Sequence, residues 1–200
     1  MLAEWSAECA AEDPVLVVPW SDPQSVAHFV DLREHPYDLD RIPEAEQNPP
    51  LMQALRSLNA SRSAVFTAKC DAWRMEGDEL EDLRHNLDPT LYADPADTPA
   101  GFSSYIDLLC RDRGLFVSFP QQEQILARLI RRAAALDHPL AALDCVLRPA
   151  LIDLTGPQEG FAISVYVKAL GPDPHTAWQV WAAALEGVVT LLRSRDLPLA

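Results

Sequence analysis

SSYIDLLCR (103–111), LFVSF (115–119), QQEQILARLIRRAAAL (121–136), DCVLRPALIDL (144–154), GFAISVYVKAL (160–170) and PHTAWQVWAAALEGVVTLLR (174–193) decide the fold class of this 200-residue chain. Four of these segments alternate, or form short apolar runs, as strands do. The segments 121–136 and 174–193 repeat their apolar residues every three to four positions, as helices do. The order is strand–strand–helix–strand–strand–helix. It predicts an α+β protein with a mainly antiparallel sheet and helices packed on one face.

Local signals support the elements. Ile125, Leu126, Leu129, Ile130 and Ala133 make one helical stripe, and Trp178, Trp181, Leu185, Val188 and Leu192 make another. Asp173 is an expected N-cap, with Pro174 at the first helical position after it. Residues 112–114 read as a hairpin loop in which Gly114 can take positive φ. Pro149 predicts a bulge or an edge position. From Leu115 onward the order strand–helix–strand–strand–helix resembles most of a ferredoxin-like sandwich, with 103–111 standing in for the missing last strand. That likeness bears on architecture alone, because such folds host unrelated functions.

The first half is less regular. Glu4–Cys9 and Val15–Trp20 read as a hairpin, and Phe29–Arg33 as a short strand. Pro50–Asn59 and the acidic stretch Asp78–Leu87 read as helices, and Ala64–Trp73 as a strand. Prolines make Glu34–Pro49 and Asn86–Gly101 irregular. The expected organisation is an α+β half (1–88), a Pro- and Asp-rich connector (89–101) and a second half (102–200), or one domain overall. Cys9 to Pro19 and Cys110 to Pro120 share a spacing that a duplication would explain.

Composition excludes several function classes. A net charge of −14 repels a phosphate backbone and an anionic bilayer, so neither nucleic acid nor membrane is an expected partner. No apolar run approaches a membrane span, and no basic leader opens the chain, so a cytoplasmic location is expected. The cysteines, Cys9, Cys70, Cys110 and Cys145, form no C-x-x-C pair and are expected as small buried side chains. The five histidines show no ligand spacing, and the acidic loop from Asp31 to Asp40 lacks the glycine of a calcium loop. There is no G-x-S-x-G and no Gly-rich phosphate loop. Neither metal nor cofactor is expected.

What remains is the polar side of the strands. Thr67, Lys69 and Asp71 alternate with apolar residues in 64–73, as do Tyr105, Asp107 and Arg111 in 103–111, and Tyr166 and Lys168 in 160–170; all of these but Thr67 are the candidate binding residues. If these strands share a sheet with helices on its apolar face, the seven side chains meet on the other face. The chain uses fourteen Arg and only two Lys, and both lysines fall in this set. A compact ammonium is what a hydrogen-bonded anion or an acid–base pair with Asp would require. Trp5, Trp20 and Trp73 are candidates to line a pocket or interface. The expected function is non-catalytic binding of a small molecule or a protein, with a homodimer through the polar face as one form. The alternative is a small enzyme using a Lys/Asp pair.

Overall fold

A computed structural model describes residues 1–24, 27–87 and 99–194. Six strands form one mixed sheet: β1 (Leu2–Ala7), β2 (Leu16–Val18), β3 (Val65–Met75), β4 (Ala100–Cys110), β5 (Ala141–Ile152) and β6 (Gln158–Gly171). The order is β1-β5-β6-β4-β3, with β2 also on β5. The helices are α1 (Pro43–Gln47), α2 (Pro49–Asn59), α3 (Gly77–Asn86), α4 (Arg113–Phe116), α5 (Phe119–Ala133) and α6 (Pro174–Leu192), with a 3-10 turn at Asp38–Arg41. This is the expected α+β class. Strands from both halves of the chain share the sheet, and most of the connector, 89–98 of 89–101, lies outside the described residues.

The β3–β4, β4–β6 and β5–β6 pairs are antiparallel, as the alternating runs predict. The expected hairpin in the first fifty residues does not form. β1 runs parallel to Ala142–Leu147 and β2 parallel to Ala150–Ile152, end to end along one edge of β5. A long loop between them lets the chain resume its direction instead of reversing. Pro149 is therefore in an interior strand, opposite the break between β1 and β2 where its missing N–H deprives no neighbour.

Leu115–Phe119 is also not a strand. Asp112 caps a single helical turn there, its Oδ1 accepting from Leu115 N at 2.7 Å. Gln122 Nε2 reaches the carbonyls of Leu115, Phe116 and Phe161, each at 3.1 Å, and pins the corner between α4 and α5. Five apolar residues between turn signals cannot distinguish one buried helical turn from a short strand. The strand–helix–strand–strand–helix order survives with β4 as its first member, and β6 lies between the strands that α5 joins.

Phe29–Arg33 makes no strand, and Glu34–Pro49 holds a 3-10 turn and α1. Cys9–Pro19 leads through a loop into β2, whereas Cys110–Pro120 leads through α4 into α5, so the shared spacing marks no shared structure. Cys110 and Cys145 are buried as expected, and burial pushes the Cys110 thiol up to about 12; Cys9, by contrast, is exposed.

Helices α2, α5 and α6 cover one face of the sheet. That face carries Phe102, Ile106 and Leu108 from β4, Ile163, Val165 and Val167 from β6, and Leu143, Cys145 and Leu147 from β5. Trp181 is its centre, wholly buried, with its ring 4.7 Å from that of Phe102. Its indole N–H donates to Ser104 Oγ at 2.9 Å, so even the polar atom of this side chain is satisfied. Asp173 caps α6 as predicted, accepting from the N–H groups of His175 and Thr176. Trp181→Ala is expected to cost about 3–5 kcal/mol in urea unfolding, because the cavity and the orphaned Ser104 hydroxyl add to the lost burial.

Candidate functional site

The register fixes which side chains share the opposite face. One row across the sheet is Lys69 (β3), Asp107 (β4) and Ser164 (β6). The next is Asp71, Tyr105, Tyr166 and Asp144, and the third is Trp73, Ser103 and Lys168. Six of the seven predicted residues therefore stand on one face.

A β-bulge makes this possible. Thr67 pairs with Leu108 but Lys69 pairs with Asp107, leaving Ala68 as the extra residue. Strict alternation would place Thr67, Lys69 and Asp71 together. The bulge instead leaves Thr67 on the helix-covered face and delivers Lys69 and Asp71 to the other. Side chains hold the bulge from outside the sheet. Asn59, at the end of α2, accepts from Thr67 N at 3.0 Å and donates to Thr67 Oγ1 at 2.7 Å. Trp20 Nε1 donates to the Ala68 carbonyl at 2.8 Å.

The face is a trough rather than an open plane. At one end Leu80, Leu83 and Leu87, on and just beyond α3, pack on Met75, Ala142 and Leu170. Gly101 lies so close beneath them that a Cβ there would stand 2.8 Å from Leu80 Cδ1. At the other end the described parts of the arm 15–44, residues 15–24 and 27–44, lie against β3. Trp20 lies beside β3, and the Arg33 guanidinium sits 4.2 Å above the Phe66 ring. A pocket of about 760 Å³ opens between this arm and β3, walled by Trp20, Lys69, Asp71 and Tyr105 among others.

The electrostatics of the floor are graded. Asp107 is 5% exposed, and its carboxylate accepts a short hydrogen bond from the buried Ser164 hydroxyl. Burial holds its carboxyl above the usual range; the Ser164 hydrogen bond and the charges of Arg148 and Lys69 act in the opposite direction. Burial, aided by Asp107 and Asp71, likewise raises the Tyr105 phenol. Lys69 is exposed, makes no ion pair or hydrogen bond among the described residues, and places Nζ 5.4 Å from the centre of the Trp20 ring. Trp73, Tyr105 and Tyr166 form an aromatic strip, with ring centres 6.2 and 5.7 Å apart. Glu79 of α3 orients Trp73 through its indole N–H at 2.9 Å.

The two lysines do not share a site. Lys168 is on the right face but is neutralised by Asp144 at 2.7 Å. It stands two strands and four residues from Lys69, roughly 16 Å by ordinary sheet spacing. Arg111 leaves the set altogether. It lies beyond the end of β4 and donates to the carbonyls of Val65 and Asn59 at 3.1 and 3.0 Å. Trp20 joins the site as one tryptophan reading allows, while Trp5 pairs beside Cys145 in β1, far from it in the sheet order. Asp144 and Arg148 were overlooked. The alternation Ala142, Asp144, Val146, Arg148 against Leu143, Cys145, Leu147 was the available signal.

Among the described residues no three His, Cys, Asp or Glu side chains are grouped to hold a metal ion. No helix among them is long and apolar enough to cross a membrane.

No protein-family model matches this chain, and no curated protein or solved structure matches it significantly.

Because burial raises the Asp107 carboxyl above its unfolded value, its protonated form contributes stability that is complete at acid pH. That contribution is lost as pH rises from the unfolded value through the folded one. Asp107→Asn, fixed in the neutral form, is expected to gain stability relative to the wild type as pH rises through that window. Urea unfolding of both proteins across the acid-to-neutral range checks this; parallel curves would contradict it.

Proposed function

We propose that this chain is a non-catalytic small-molecule binding protein whose ligand lies in the pocket between β3 and the arm 15–44. The observation that carries this reading is Lys69. Its ammonium has no carboxylate partner among the described residues and is presented over the Trp20 ring at the wall of a 760 Å³ pocket. That volume lies within the ordinary range for small-molecule sites. Its wall is mixed: Val15, Val17, Val30 and Ile42 are apolar, and Asp22, Arg41, Glu44 and Asp71 carry charge beside Lys69. The favoured ligand has a planar apolar body, packed on Trp20 and Tyr105, and an anionic or acceptor group at Lys69. Asp71 and Asp107 beside that lysine disfavour a ligand of high negative charge.

One observation favours the alternative, a small enzyme. Asp107 is a buried carboxyl held above its ordinary value by desolvation, with the charge of Lys69 acting on it, and a general acid needs a carboxyl shifted in that direction. It accepts from Ser164 rather than projecting freely, and the exposed Lys69 above it is better placed to hold a ligand than to exchange protons with it.

Planar aromatic carboxylates, followed by quenching of tryptophan fluorescence, test the proposal. Wild-type protein is expected to bind members of this class saturably. Lys69→Gln is expected to weaken binding about tenfold, the effect of one charge-assisted hydrogen bond. Lys168→Gln is expected to leave it within twofold. Equal binding by all three proteins would overturn the assignment, and turnover of a bound compound abolished by Asp107→Asn would favour the enzyme.

A further inference from the structure

A second cavity, of about 360 Å³, lies on the other side of the arm, between it and the end of α2. It shares only Leu32 and Leu55 with the pocket over Lys69. Three arginines from three separate parts of the chain line it: Arg33 of the arm, Arg56 of α2 and Arg111 after β4. In a chain with 30 acidic and 16 basic residues, no carboxylate lines this cavity.

The three guanidinium groups are held to different degrees. Arg33 spends two N–H donors on Asp31, at 2.9 and 2.7 Å, and lies across the Phe66 ring. Arg111 spends two on the Val65 and Asn59 carbonyls. Each keeps the rest of its five donors. Arg56 is exposed and has no hydrogen bond or ion pair among the described residues. Burial lowers the Arg111 pKa and the like charge of Arg33 lowers it further, while Asp31 acts in the opposite direction, so the repulsion between the two cations is partly offset. Asp31 and Glu34 act on Arg33 but neither lines the cavity. Ser61 adds a hydroxyl at the rim.

We propose that this cavity is an oxyanion site, in which Arg33, Arg56 and Arg111 take the phosphate group of a small molecule. Planar guanidinium groups match phosphate oxygens two at a time, and a cluster converging from separate chain segments surrounds an anion as a single lysine cannot. Two of the arginines are already anchored by the fold, so little order is lost when the anion arrives; Arg56 is the exposed third. The repulsion between Arg33 and Arg111 is relieved by a bound dianion. The site stands independently of the pocket over Lys69, since it uses none of that pocket's polar groups.

Isothermal titration at fixed ionic strength, with inorganic phosphate and with glycerol phosphate as probes, tests the proposal. The wild type is expected to bind phosphate once per chain, saturably and in the millimolar range or tighter. Arg56→Gln is expected to lose at least tenfold, with an unchanged unfolding midpoint in the absence of phosphate. Arg62→Gln removes a neighbouring charge that does not line the cavity and is expected to change binding less than twofold. Tighter binding of glycerol phosphate would assign a phosphate ester as the ligand, and tighter binding of inorganic phosphate the free ion; either upholds the site. No saturable binding to the wild type would overturn the proposal. So would equal losses in the Arg56 and Arg62 variants, which would reduce the effect to general surface charge.

Discussion

The extra residue in β3 governs the functional half of this molecule. An edge strand of a sheet presents unpaired N–H and C=O groups outward, and a bulge there adds further unpaired groups. Here the groups at the bulge are met by side chains. Asn59 satisfies Thr67, and the Trp20 indole satisfies the Ala68 carbonyl. The same contacts do two further things. Asn59 ties α2 to the strand it covers, and Trp20 ties the arm 15–44 to the sheet. Remove the bulge and Lys69 turns toward the helices, onto a face that is mostly apolar.

From that constraint the rest follows in layers. The helix-covered face is apolar almost throughout, with Trp181 filling its centre. The opposite face is polar in the middle and apolar at both ends, where α3 and the arm lie on it. A polar strip between two covered ends becomes a trough, and the low dielectric under its rims strengthens the electrostatics within it. Asp107 is buried on the floor and Lys69 is exposed at the rim. The arm separates two cavities of different character. One is walled by aromatic rings and a single lysine, the other by three arginines.

Much of the architecture was legible in the sequence, and the losses have physical causes. β4, β6, α5 and α6 are long enough for their periods to be unambiguous, and Asp173 marks a helix start by its chemistry. Leu115–Phe119 was too short to separate a buried turn from a strand. β1 and β2 were read as partners because neighbours in sequence usually pair, whereas both are parallel edge strands whose partner is more than a hundred residues away. The polar face was found for six of seven residues because period-two alternation survives burial. Arg111 was included by the same alternation, which continues formally past the end of the strand. Thr67 shows the limit: a bulge leaves no mark in a pattern of residue types. The arm was illegible because its contacts are between side chains remote in sequence, Trp20 with Ala68 and Arg33 with Phe66.

The register of β3 is the point on which all of this turns, and nuclear Overhauser contacts between its backbone and that of β4 read it directly. The structure requires cross-strand contacts between Lys69 and Asp107 and between Cys70 and Ile106, with Thr67 opposite Leu108 and the Trp20 indole proton close to Ala68. An uninterrupted ladder pairing Ala68 with Asp107 and Lys69 with Ile106 would contradict it, and would take Lys69 out of the trough.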